Sequence, residues 1–191
     1  MVKRSILLAF YSCAFICWLT PIRSADDAVP VEPQKVQVVF DGKVTAINDT
    51  KVPLPTTRAE LTKLFGEPTR VLKLAYTILT WDEHGVYATE NPKTVKVEAF
   101  TVALDERAYK YWPKKMFAGT VQVNGASITA HSTIDDINRA LKEKAFVRNK
   151  VVEDTWTMTY DDVVLTLVEA DPKTKSEKTK FSYLQIGVKK K

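Results

Sequence analysis

The residues of this 191-residue chain whose types could do chemistry are two histidines, two cysteines and a few acidic doublets. His84 follows Asp82 and Glu83 directly and precedes Gly85. A metal would need those three side chains to converge from consecutive positions of a tight turn, whereas metal sites use spaced ligands with supported orientations. The spacing therefore points to a polar hairpin tip. His131 stands just before a helix cap and reads as a solvated loop residue. A serine–histidine pair assembled across the fold stays open, but no Gly-x-Ser-x-Gly elbow, phosphate loop or dinucleotide fingerprint occurs. Asp135-Asp136 lie at a helix start and Asp161-Asp162 at a turn. Glycosidase carboxylates must face each other across a cleft, which neighbours on a turn do not. No catalytic residue, metal ligand set or cofactor is expected.

The densest candidate for recognition is the segment Asp105-Glu106-Arg107-Ala108-Tyr109-Lys110-Tyr111-Trp112-Pro113-Lys114-Lys115-Met116-Phe117, with four aromatics and four cations in thirteen residues. Tyr, Trp and Arg anchor protein interfaces. The same mixture grips glycans or acidic partners by stacking and charge. Tyr109, Tyr111, Trp112, Lys114 and Lys115 are the candidate binding residues. A packed linker is the competing reading and the one favoured by the alternating charges: Tyr111, Trp112 and Phe117 would fill the groove between two halves while the lysines stay in water.

Residues 1–25 carry Lys3 and Arg4, an apolar run from Ile6 to Leu19, Pro21, and then Ser24 and Ala25. That layout is a secretory signal, and the run is short for a membrane span; an uncleaved anchor is the alternative. Cys13 and Cys17 both lie inside it, so the exported chain would hold no thiol. Loss of Lys3, Arg4 and Arg23 would lower the formal net charge from +5 to about +2, which gives little reason to expect nucleic acid as a partner. Residues 26–35 read as an extended leader.

The elements that must position these residues are announced twice. In each of two segments, 36–104 and 119–191, a hairpin signal comes first: Asp41-Gly42 and Asn48-Asp49, then Asn124-Gly125. A short helix follows. Thr57 and Glu60 form a capping box with Gly66 and Pro68 as the stop; Ser132 or Thr133 caps the second helix, which carries Ile134, Ile137 and Leu141. Then come alternating strands: Leu72, Leu74, Tyr76 and Ile78 run up to Trp81, and Trp156, Met158 and Tyr160 match them. An acidic turn, a further strand, an Asn91-Pro92 or Asp171-Pro172 turn and a last strand complete each segment. The expectation is an α+β protein of two tandem β-β-α-β-β-β units, each an antiparallel sheet with one helix on a face. Residues 105–118 would join them.

The stretch Thr57 to Trp81, with its helix end Leu64-Phe65-Gly66-Glu67-Pro68 and its following Trp strand, resembles the small envelope lipoprotein domains of the outer-membrane assembly factor type. The tandem α-then-sheet pattern is similar to the β-lactamase inhibitor protein architecture, and the whole looks like uncharacterised exported proteins of Gram-negative bacteria. The resemblance implies a protein-binding surface on a concave sheet. The chain departs from it in placing a hairpin before each helix, in lacking a second helix per unit and in having no bracing cysteines.

The sequence thus predicts a periplasmic or secreted, non-enzymatic module that binds another protein, in its concrete form an immunity or inhibitor protein. The alternatives are an envelope assembly component and a hydrolase or carbohydrate-binding protein. Lys173–Lys180 and Lys189-Lys190-Lys191 could touch a membrane surface, but their default role is to keep strand edges soluble.

Overall fold

The computed structural model describes residues 35–42, 44–141, 144–170 and 181–189. The expected signal sequence, most of the expected leader, the expected Asp171-Pro172 turn and the loop expected at Lys173–Lys180, and the last two lysines lie outside the described residues.

The chain begins with β1 (Gln37–Phe40), β2 (Thr45–Ile47), β3 (Thr50–Val52) and α1 (Arg58–Phe65). It continues through β4 (Arg70–Lys73), β5 (Thr77–Trp81), β6 (Val86–Asn91) and β7 (Lys96–Ala103). After residues 104–119 come β8 (Thr120–Val123), β9 (Ala126–Ile128) and α2 (Ile134–Ala140). The last strands are β10 (Val147–Arg148), β11 (Thr155–Tyr160), β12 (Val163–Glu169) and β13 (Phe181–Val188).

The fold is mainly β, which corrects the expected α+β class. Thirteen strands stand against two helices of eight and seven residues among the described residues. The sheets also do not divide between the two segments. One is five-stranded in the order β3-β2-β1-β8-β9, and the other is eight-stranded in the order β10-β11-β12-β13-β7-β6-β5-β4. Each therefore crosses from the first segment to the second. In the small sheet the crossing is a parallel pair that sets Val38 beside Val121 and Phe40 beside Val123. In the large sheet it is an antiparallel pair between β13 and β7, with Gln185 opposite Thr101.

The helices are too small to cover sheet faces. An eight-residue helix is about 12 Å long, whereas eight strands span about 34 Å. α1 buries only Leu61 and Phe65, and α2 only Ile137 within its length. Their caps follow the sequence reading: the Thr57 side chain accepts from Glu60 N, Glu60 accepts from Thr57 N, and Thr133 accepts from Asp136 N. The inner face of the large sheet is covered by the small sheet together with the few buried helix residues Leu61, Phe65 and Ile137. Val38, Phe40, Ile47, Val121 and Ile128 share one buried cluster with Leu79, Phe100, Val102, Leu165, Leu184 and Ile186. At roughly 25 cal/mol per Å² of apolar surface removed from water, such a cluster is the main favourable term in folding.

The continuous alternation expected from Leu72 to Trp81 is broken. β4 and β5 are separate strands joined at residues 74–76, where Leu74 N donates to Tyr76 O at 2.9 Å. Leu72 pairs with Ile78 across that turn, so the apolar period continues on both sides of a reversal it does not register.

Side chains on a strand alternate between faces. With Phe100 and Val102 turned inward, Ala103 joins a second cluster on the outer face of the large sheet, with Tyr87 and Trp112 as its other buried members. Tyr111 and Trp112 of the 105–118 segment pack on that face. Both, expected to fill a groove between two halves, lie on the outer face of the sheet over β6 and β7 of the first segment and β13 of the second. Phe117 does pack against the main core.

Candidate functional site

The segment 105–118 is fixed at both ends and in its middle. At its start, Leu104 N and Asp105 N both donate to Ser182 O on β13. At its end, Phe117 N donates to Ala103 O. Between them Trp112 is only 3% exposed, and its Nε1 donates to Asp105 O at 2.7 Å. Its ring meets Tyr87 and Tyr183 edge-on or tilted at 5.7 Å. Tyr111 is partly buried against the same cluster, and Thr80 Oγ1 donates to its carbonyl at 3.0 Å.

The clasp is an ion pair that sequence spacing did not reveal. Asp82 is 2% exposed and receives Arg70 Nε at 3.0 Å and Arg70 Nη2 at 2.6 Å. Lys114 N donates to the same carboxylate at 2.9 Å. Arg70 also donates to the carbonyls of Lys110 and, at 2.6 Å, Trp112. One guanidinium and one carboxylate thus tie strand β4, the β5–β6 turn and the junction together. Burial pushes the Asp82 carboxyl upward, but the hydrogen bonds from Arg70 and Lys114 N and the nearby positive charges outweigh it, so it is held below its ordinary value. Asp82 lies in the β5–β6 hairpin turn as expected, but as an enclosed structural anchor and not a solvated tip. Its neighbour Glu83 is exposed and pairs with Lys115. The His84 ring lies against Phe65 at 5.5 Å. Among the described residues no group of three His, Cys, Asp or Glu side chains is placed to hold a metal ion.

Gly85 completes the attachment. Its φ of 68° favours glycine, and a Cβ there would fall 2.3 Å from Phe117 N and 2.5 Å from the Met116 carbonyl carbon. The junction backbone therefore passes directly over the turn.

This packing leaves an open groove of about 450 Å³ lined by Arg70, Glu106, Arg107, Tyr109, Trp112 and Lys114 together with Ala108 and Pro113. Of the five candidate residues, Tyr109, Trp112 and Lys114 line it. Tyr109 is 52% exposed and stacks on Tyr111 with centroids 5.5 Å apart and planes within 5°. Tyr111 and Lys115 do not line the groove: the first backs Tyr109 and the second faces the β5–β6 turn. Burial raises the pKa values of Tyr87, Tyr111 and Tyr183 around it, so these phenols stay neutral hydrogen-bonding groups.

Sequence reading missed Arg70 and gave Arg107 no role of its own. Arg107 was visible inside the aromatic-basic segment. Arg70 had no local signal, because its partners lie 12 and more than 30 residues away.

The model of a family described as a domain of unknown function, DUF7738, matches residues 37–138, a little over half of the chain. The sequence matches no curated protein. Among solved structures, the chain is similar to an extracellular protein containing a SCP domain from Bacillus anthracis str. Ames, with 11% identity and a TM-score of 0.40. The likeness covers 69% of this chain and 42% of that one, so this chain spans less than half of that protein's length. Among the described residues no helix is long and apolar enough to cross a membrane.

Proposed function

The chain belongs to the DUF7738 family, and we propose that it is an exported, non-enzymatic module that recognises another protein through the groove on its 105–118 segment. The observation that carries this reading is the groove itself. A loop-borne aromatic and cationic surface is held rigid by Trp112 beneath it and by the Arg70–Asp82 clasp beside it. Preorganised aromatic and basic side chains bind without a large ordering cost, and Tyr and Arg are the usual anchors of such surfaces. Inhibition of, or immunity to, an envelope enzyme is the concrete form this takes, and it agrees with the sequence's secretory start.

The test is site-specific photo-crosslinking in the producing cell, with the reactive residue at Tyr109 in one variant and at Asp162 in another. The reading expects one defined protein adduct from position 109 that is missing from position 162. The adduct should weaken when Lys114 is changed to Ala. Trp112 is unsuited to this test, because its removal empties the packing under the groove. Equal adducts from both positions, or none from Tyr109, would discard the proposal.

A further inference from the structure

Two guanidinium groups line the groove, and they differ in one respect. The charge of Arg70 is met by the Asp82 carboxylate and by two backbone carbonyls. Arg107 has no carboxylate within ion-pair distance among the described residues. It is half-buried nonetheless. Its Cζ lies 5.6 Å from the centroid of the Trp112 ring, and its Nη2 donates to Ser182 Oγ and, at 3.5 Å, weakly to Glu169 O. Those bonds use the terminal nitrogen Nη2, and among the described residues Nε and Nη1, which lie on different edges of the guanidinium, have no hydrogen-bond acceptor. A guanidinium with free N–H groups and no counter-charge makes strong charge-assisted hydrogen bonds to carboxylates and phosphates, and the charges around it decide between them.

We infer that Arg107, seated on Trp112 and flanked by Lys114 and Tyr109, is a carboxylate-binding residue that takes an Asp or Glu side chain of a partner protein segment. The inference deepens the binding reading above and rests on it. The rest of the groove supports a singly charged ligand. Glu106 lines the same space, so a phosphate dianion would meet a like charge, whereas one carboxylate is balanced by Arg107 and Lys114. The half-exposed Tyr109 ring beside them offers an apolar face to the stem of that side chain or to its neighbours.

The experiment titrates the full chain with a capped, extended peptide of alternating Glu and Ser, with its Gln counterpart and with inorganic phosphate. Binding is read by calorimetry and by the NMR signals of the Arg107 Nε–H and the Tyr109 ring. The Glu peptide should bind and shift both signals. The Gln peptide and Arg107→Gln should each weaken binding by about tenfold or more, the loss expected of one charge-assisted pair. Arg107→Lys should restore only part of it, since an ammonium keeps the charge but not the planar group seated on the Trp112 ring. Equal binding of the Glu and Gln peptides, tighter binding of phosphate, or shifts in wild type that bypass Arg107 would overturn the inference. If Arg107→Gln does not fold, the shift map on wild type decides alone. A crosslinked partner that binds Arg107→Gln as tightly as wild type would end the carboxylate inference and leave the binding reading standing. Loss of the Tyr109-specific adduct would end both.

Discussion

The turn between β5 and β6 and the turn between β11 and β12 read alike in sequence and meet opposite surroundings. Each follows an aromatic residue, Trp81 or Tyr160, and each is acidic. In the first, Asp82 is enclosed and receives bonds from Arg70 and Lys114 N. In the second, Asp161 and Asp162 are exposed, and Lys189 N donates to the Asp162 carbonyl at 2.7 Å. The aromatics diverge in the same way. Trp81 Nε1 donates to Gly66 O at the end of α1, whereas Tyr160 packs on Phe40 at 5.4 Å and bonds Asn124 of the other hairpin. The difference lies in what covers them. Residues 105–118 fold back over the first turn, and among the described residues no such segment encloses Asp161 and Asp162. One turn became an anchor because a segment had to be held there; the other kept its acids in water.

The comparison can be broken most forcefully through the aromatic under the groove. Trp112→Ala should lower the unfolding free energy by about 3–5 kcal/mol, the cost of removing a buried aromatic. Urea denaturation measures it, and a change below about 1 kcal/mol would mean that the junction is not packed as described.

Asp82→Asn comes next, with an expected loss of about 2–4 kcal/mol, because it leaves a partly buried guanidinium without its counter-charge. Asp161→Asn should stay within about 0.5 kcal/mol, since it is exposed and Asn tolerates its positive φ. Similar losses at both positions would erase the distinction between the turns.

Glycine sharpens the same contrast. Gly85 and Gly125 both have positive φ, at 68° and 82°, but only at Gly85 would a Cβ strike backbone. Alanine at Gly85 should cost about 1–2 kcal/mol more than alanine at Gly125, the difference being the displaced junction rather than the φ strain that both share. Thermal melts of the two variants give the comparison.

The smallest effect is in the pH dependence. The Asp82 pKa is depressed in the folded state, so the unfolded chain binds its proton more tightly. Its contribution is present above the ordinary value of 3.8 and disappears as pH falls through the lower folded value. Wild type should therefore lose stability more steeply than Asp82→Asn below about pH 4, as followed by denaturant midpoints across pH. Parallel curves would contradict the clasp.

How much of this was legible follows from the range of each signal. The capping box at Thr57 and Glu60, the stop at Gly66 and the alternation of Trp156, Met158 and Tyr160 are local, and the structure keeps them. Strand pairing is not local. Val38 beside Val121 and Gln185 opposite Thr101 join residues 83 and 84 positions apart, and alternation says which face a residue occupies, not which strand lies next to it. The β4–β5 reversal was hidden because Leu72, Leu74, Tyr76 and Ile78 keep period two straight through it. The groove was legible in composition through Tyr109, Trp112 and Lys114. Its geometry was not, because Trp112 turns inward and the anchor is an Asp82–Arg70 pair whose members each looked ordinary.

The central claim is that the clasped 105–118 segment is the face that meets a partner. It is tested most directly by purifying the protein crosslinked at Tyr109 and measuring its affinity for wild type, Tyr109→Ala with Lys114→Ala, and Asp161→Asn with Asp162→Asn. The account predicts a loss of about tenfold or more in the first pair, consistent with removal of interface anchors, and wild-type affinity in the second. Equal affinities for all three, or a loss confined to the β11–β12 turn, would contradict it.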